Sequence, residues 1–439
     1  MDVSMELQGA SKVLANLTSG IVYSKIFKDR TRKRSEDFTR NRKMPFEHLV
    51  FFILKSAKSS LSTAIRRFFE EMEIDETMAQ QSLSEARQKL KVEGFRYLFV
   101  EATVKPLFKM FKKTWKGYFV YAIDGSKVAL PAVDVLLNHY GTSGRGSKSP
   151  TAQVSHLFDV LNNIIIDAAI EPMSEGERKL ALRHIDALKA LVYAQWFPKT
   201  LKKRKKRLRK RIIIYDRGYA SFEFIKKHMD EGLKFVMRVK SGFNTDIDAQ
   251  VEADEMVRIE KGEEELSVRV LKFELDSGEI EKLITNIYDE DLDVEDFKEL
   301  YFLRWNAETN YDIIKNKLEL ENFTTKTVEG VQQDFYATMY LRNFVAAAEM
   351  DVQKEIEEAR KDKDNKYQYK ANKNEIIGIL KDRLIVALAH ESTDEQAKEI
   401  DKILEDAKRY VIPIRPNRSV ERNPNPRRSK FHHNQKSNA

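Results

Sequence analysis

Two aspartates and a glutamate carry the side chains in this sequence most suited to chemistry. Asp124 in YAIDGS and Asp216 in IIYDRGYAS each close an apolar run and precede a turn. An aspartate before a turn is commonly only a turn residue, so neither means much by itself. Together they gain meaning, because phosphodiester hydrolysis or transesterification needs carboxylate oxygens on neighbouring strands, where two divalent cations about 3.5 to 4 Å apart flank the phosphate. The third acid lies in YFLRWNAETNYDIIK. At about 100° per residue on a continuous helix, Tyr301, Arg304, Glu308 and Lys315 share an arc of about 60°. Leu300, Leu303, Ala307 and Ile314 form the apolar edge beside it. An acid that binds metal next to cations that hold phosphate oxygens fits this stripe. A surface ladder between Arg304 and Glu308 at i,i+4 is the plainer alternative.

The elements needed to position these groups can be read from periodicity. Residues 1 to about 110 are helical in pattern, with apolar spacing of three and four in HLVFFILKSAKSSLSTAIRRFFEEM and QQSLSEARQKLKVEGFRYLFVEATVKPLF. Arg87, Lys89 and Lys91 are expected on the exposed face of the second stretch. Short β-branched and aromatic runs follow at 118–124, 154–161 and 163–171, with Asn162 and Asn163 as a hairpin turn. Then come an amphipathic helix over 174–194, the strand RIIIYD, a helix over 221–231 and the strand KFVMRVK. Three strands followed by alternation predict a mixed α/β sheet. Residues 241–290 read as an antiparallel β-insert, and 294–350 return to a helical period. The polar stretch 351–372 reads as a linker or helix end, two helical stretches follow, and the tail from Pro413 has a disordered composition.

The bulk composition sets limits. The chain has 439 residues, 33% charged and 42% hydrophobic, enough for two or three globular domains. No apolar window reaches eighteen residues and the start lacks the order of a secretory signal, so a cytoplasmic, membrane-free protein is expected. Without cysteine there are no disulfides, thiolate zinc sites or cysteine nucleophiles. Lys and Arg number 77 against 69 Asp and Glu, a net charge of +8. Ten of the thirteen residues from Lys199 to Arg211 are basic, Lys202, Lys203, Arg204, Lys205 and Lys206 among them. With the basic stretch 25–43 and the basic tail, this favours a phosphate-rich partner, since each neutralised phosphate releases counterions. GTSGRGSKS from Gly141 puts Ser147 where a phosphate-binding GxxxxGK[ST] loop needs lysine, so no nucleotide cofactor is expected.

Tyr301, Arg304, Glu308 and Lys315 fit Y-x2-R-x3-E-x6-K. With Asp124 and Asp216 before them in order, the chain resembles, over nearly its whole length, the bacterial DDE transposases of the insertion-sequence-four group, whose YREK signature this is. The resemblance implies a ribonuclease-H-like catalytic core at 111–350 interrupted by the β-insert, an N-terminal helical DNA-binding domain at 1–110, a helical segment at 351–412 for dimerisation, and a basic tail at 413–439. It implies Asp124, Asp216 and Glu308 as ligands of two magnesium ions, with manganese able to substitute. Tyr301, Arg304 and Lys315 would contact double-stranded DNA, at transposon ends and target, within a homodimeric complex in a bacterial cytoplasm. Trp305, just beside the stripe, is expected to pack in the core, with stacking on a flipped base, as family members use aromatics, the alternative. Two other readings remain: a ribonuclease-H-like nuclease that cuts without strand transfer, and a non-catalytic DNA-binding derivative. The intact acidic triad argues against the latter.

Overall fold

A computed structural model describes residues 9–40, 42–56, 59–144, 146, 148–194, 207–275, 278–363 and 366–415. The chain forms two compact units, Phe108–Ile313, and Met1–Leu107 together with Ile314–Ala439.

The continuous unit is built on one eight-stranded sheet in the order β3-β2-β1-β4-β5-β8-β7-β6. Its strands are β1 (Phe119–Ala129), β2 (Thr151–Asp159), β3 (Ile164–Pro172), β4 (Arg211–Tyr215), β5 (Lys234–Val239), β6 (Asp254–Lys261), β7 (Glu264–Glu274) and β8 (Ile280–Thr285). β1, β2 and β3 are antiparallel, whereas β1, β4 and β5 run parallel. That order and those directions are the ribonuclease-H-like arrangement within a mixed α/β fold. Asn163, at φ 61°, closes the β2–β3 turn, where Asp159 accepts the N–H groups of Leu161 and Asn162. β4 is buried along its whole length, as a central strand covered on both faces must be, which accounts for its unbroken RIIIY.

Helix α1 (Glu177–Ala194) lies against β1, β2 and β3. Leu180, Ala181, His184, Ile185, Leu188 and Val192 form its buried stripe at helical spacing. Helix α2 (Phe222–Glu231), capped by Ser221, makes the crossover from β4 to β5. The segment read as an antiparallel insert contains β6, β7 and β8, and β8 pairs antiparallel with β5, so these strands lengthen the main sheet. Helices α3 (Val294–Phe302), started by an Asp293–Asp296 capping box, and α4 (Trp305–Asp312) complete this unit.

The discontinuous unit is helical and centred on Val328–Arg360, a helix of 33 residues buried on nearly every side from Val331 to Ala348. Asp351 on this helix accepts the N–H groups of Ala10 and Ser11 at 2.9 and 2.7 Å, satisfying the first turn of Ala10–Val22. Residues 351–360 form the end of this helix, the second of the two readings of that polar stretch. Residues 368–371 form a strand paired with Val411–Ile414, so the first residues of the expected tail are ordered in a ladder. Residues 416–439 lie outside the described part. Arg87 is buried rather than exposed: it donates to Gln333, Thr324, Gly330 and Asp334, all within this unit.

Candidate active site

Asp124 does not end its strand. β1 continues five residues further, because β2 pairs with it up to Ala129 opposite Thr151. On the other side the parallel partner stops, since the β1–β4 ladder runs from Phe119–Arg211 to Ala122–Ile214 and β4 ends at Tyr215. The same offset carried two residues further would set Asp124 level with Asp216, the first residue past β4. Asp124 thus lies where its neighbour leaves the sheet, and the sheet opens a notch beside it. Gly125 suits this crowded place: a Cβ there would come within 2.9 Å of Gln153 Nε2 and 3.2 Å of Glu177 Oε1.

The third acid reaches the notch from a broken helix. The stretch predicted as one helix is α3, a turn at Leu303–Arg304, α4, and then a π-helical segment, Ile313–Lys317. A single 100° wheel therefore does not describe it, yet Tyr301, Arg304 and Glu308 still come together. Arg304 Nη2 donates to Glu308 Oε1 at 2.7 Å, and the guanidinium lies 5.7 Å from the Tyr301 ring and 5.8 Å from the Trp305 ring. Tyr301 and Arg304 are each 8% exposed, while Trp305 is 40% exposed. Core packing, the plainer role for Trp305, is thereby excluded. The i,i+4 ion pair is present, but it is no surface ladder, because its arginine is buried. Tyr301 Oη and Arg304 Nε are buried with no hydrogen-bond partner among the described residues. Lys315 lies in the π-helical segment, just past the end of this unit.

The electrostatics mark the three acids as one group. Burial raises the Asp124 carboxyl from its ordinary 3.8 to about 6. Arg304 and the Gly125 N–H pull it down, and Glu308 and Asp216 push it back up. Asp216 and Glu281 also help keep the Tyr301 hydroxyl protonated, after burial as the main cause. Three carboxylates are hard oxygen donors, the chemistry of a divalent-cation site. Their present geometry is not that of a formed site: among the described residues no three acidic or histidine side chains stand in metal-holding positions. Glu308 is held by Arg304 instead.

A family profile described as transposase DDE domain matches residues 115–344, just over half of the chain. The chain belongs to this family of DDE transposases. Such enzymes use divalent metal ions to cleave and join DNA. A comparison with curated proteins finds no match. Among solved structures, the chain is similar to the piggyBac transposase synaptic complex with hairpin DNA, at 10% identity and a TM-score of 0.49 over 93% of this chain and 87% of that one. It is also similar to a pre-cleavage Mos1 transpososome, at 10% identity and a TM-score of 0.18 over 49% of this chain and 64% of that one.

Around the acids, this transposase uses side chains that motif spacing does not single out. Arg178 donates to the carbonyls of Gly218, Tyr219 and Ala220, clamping the loop that follows Asp216. Glu177, its neighbour, accepts from Gln153 Nε2 at 3.4 Å and lies near Gly125 and Gly218, which brings a fourth carboxylate to the notch. Tyr311 on α4 donates to the Asp124 carbonyl at 2.9 Å, and Ser155 on β2 donates to the same oxygen at 3.3 Å. The one signal in the sequence is the amphipathic face of α1, which begins at Glu177. Lys202, Lys203, Arg204, Lys205 and Lys206 lie outside the described residues. No described helix is long and apolar enough to cross a membrane.

Proposed function

We propose that the chain is an insertion-sequence transposase of the YREK type, in which Asp124, Asp216 and Glu308 hold two magnesium ions, replaceable by manganese. It cuts at terminal inverted repeats and joins the released ends to target DNA. The observation that carries this reading is the alignment of Asp124 with Asp216 at the point where β4 leaves the sheet, with Glu308 near enough to raise the Asp124 carboxyl.

Bound divalent cations would supply Lewis-acid chemistry, activating the attacking oxygen and stabilising the leaving 3′ oxygen. The chain's own groups do the rest. β1 fixes Asp124, and Asp216 is held just past β4 by the loop that Arg178 clamps. Arg304, its Nε unpartnered, and the Tyr301 hydroxyl offer donors to phosphate oxygens, and Arg304 frees Glu308 as it turns to that task. Exposed Trp305 stacks on an unpaired base beside the cut, and Lys315 and the run Lys202, Lys203, Arg204, Lys205 and Lys206 hold the DNA backbone. The helices of 1–110 bind the repeat, 351–412 joins two copies in the active complex, and 413–439 is a basic tail.

The test is incubation of the chain with magnesium, labelled duplexes from the DNA flanking its gene, and a target plasmid. Joined products from the wild type, with none from Asp124→Ala, Asp216→Ala or Glu308→Ala, support the reading. Cleavage without joining would replace it with a nuclease, and binding without cleavage with a DNA-binding derivative.

A further inference from the structure

The backbone carbonyl of Asp124 is where three elements meet, β1, β2 and α4. Tyr311 Oη reaches it at 2.9 Å from α4, the helix that carries Glu308 one turn earlier. Ser155 Oγ reaches it at 3.3 Å from β2. Behind Ser155, His184 Nε2 on α1 lies 3.0 Å from Ser155 Oγ, and His184 Nδ1 lies 2.8 Å from Asp167 Oδ2 on β3. Ser155, His184, Asp167 and Tyr311 are all buried, at 1%, 0%, 6% and 8% exposure.

This chain has the spacing of a nucleophilic triad, but burial removes that use. The serine hydroxyl faces a backbone carbonyl, with no opening for a substrate. Proton bookkeeping gives it a direction. Ser155 has one hydrogen, and with that hydrogen donated to Asp124, His184 Nε2 must carry the proton it donates to Ser155 Oγ. Ser155 and Tyr311 both donate to Asp124, and the chain behind Ser155 is anchored in the core by α1 and β3. The Tyr311 ring is fixed as well, 4.1 Å from the His156 ring, and His156 is the β2 residue paired with Asp124.

We infer that Tyr311, backed by Ser155, His184 and Asp167, is a positioning residue that sets the register between the Asp124 strand and the Glu308 helix. Without the hydroxyl of Tyr311, α4 loses its polar tie to β1 and the two carboxylates can drift apart by a fraction of an ångström while the unit stays folded. This rests on the reading of Asp124 as a metal donor. Side chains that orient ligands without touching the metal typically change metal affinity or activity by roughly 10- to 100-fold.

The experiment uses the full chain and manganese chloride alone, reading the rise in thermal midpoint against metal concentration for the wild type, Tyr311→Phe, Ser155→Ala and Asp124→Asn. Tyr311→Phe keeps the ring and its packing on His156. The expected result is an unchanged midpoint without metal to within a few degrees, a metal concentration for half the rise displaced upward by roughly 10- to 100-fold, and no rise for Asp124→Asn. Ser155→Ala displaces the metal curve in the same direction and serves if Tyr311→Phe does not fold. Metal curves for both variants within twofold of the wild type overturn the inference while the metal reading stands. A full rise in Asp124→Asn overturns the metal reading itself, and the inference with it.

Discussion

Asp124→Asn should make the metal-free transposase more stable at neutral pH while abolishing cleavage. In the folded chain the Asp124 carboxyl is raised from 3.8 to about 6, first by burial and then by Glu308 and Asp216, against the opposing pull of Arg304 and the Gly125 N–H. A raised carboxylate favours the folded state only while protonated. That contribution is fully present below pH 3.8 and lost as the pH rises through about 6. Two pH units at about 1.4 kcal/mol each put the cost of the ionised group at about 3 kcal/mol above pH 7, an upper figure because the side chain is partly solvated. Asparagine keeps the shape and carries no charge. Urea unfolding in chelator, followed at pH 8 and again at pH 4, reads the difference. The variant should be the more stable by up to about 3 kcal/mol at pH 8, with the gap closing at pH 4. A variant equally stable or weaker at pH 8, or a gap that does not change with pH, would show that the Asp124 carboxyl is not raised and would remove the electrostatic argument for a cation there.

Arg304→Gln should slow cleavage at saturating DNA while the chain stays folded, since Glu308, 37% exposed, can be solvated once its buried partner is gone; a large stability loss with unchanged cleavage would make the pair structural. Arg87→Met leaves Asp334 buried without its cation and should cost about 3 kcal/mol in unfolding experiments, with DNA binding by the folded variant unchanged; a binding defect without instability would return Arg87 to a DNA-facing role. Replacing Lys202, Lys203, Lys205 and Lys206 by Gln should flatten the salt dependence of DNA binding by about 0.9 for each phosphate no longer neutralised, with little change in single-turnover cleavage. The reason is that this run precedes β4 and Asp216 follows it, about 17 Å along the strand. An unchanged slope would make the run a solvated loop.

What the sequence disclosed followed period and type. The β-branched runs at 119–123 and 211–215 and the apolar stripe of α1 translate directly into elements, because burial on one face or two imposes those periods. Other features depend on partners far along the chain. Asp124 reads as a strand end because DGSK looks like a turn, but β2 supplies a ladder that holds those residues extended. A wheel drawn through Tyr301 and Lys315 assumes a continuous helix, and the turn at Arg304 and the π-helical segment break it. Residue type alone makes Trp305 a core candidate, yet it is exposed beside the Arg304 guanidinium. Asp351 captures an N-terminus some 340 residues earlier, a contact that no local pattern shows. Ser155, His184 and Tyr311 have no shared spacing, and only the fold brings Ser155 and Tyr311 to one carbonyl with His184 behind Ser155.

The most direct test of the central claim is anomalous scattering from manganese in crystals of the transposase soaked with the ion and bound to its cleaved end duplex. The account predicts two peaks about 3.5 to 4 Å apart at Asp124, Asp216 and Glu308, with Glu308 turned away from Arg304. Manganese bound elsewhere, or a Glu308 still paired with Arg304 while the cleaved 3′ end lies at the notch, would contradict it.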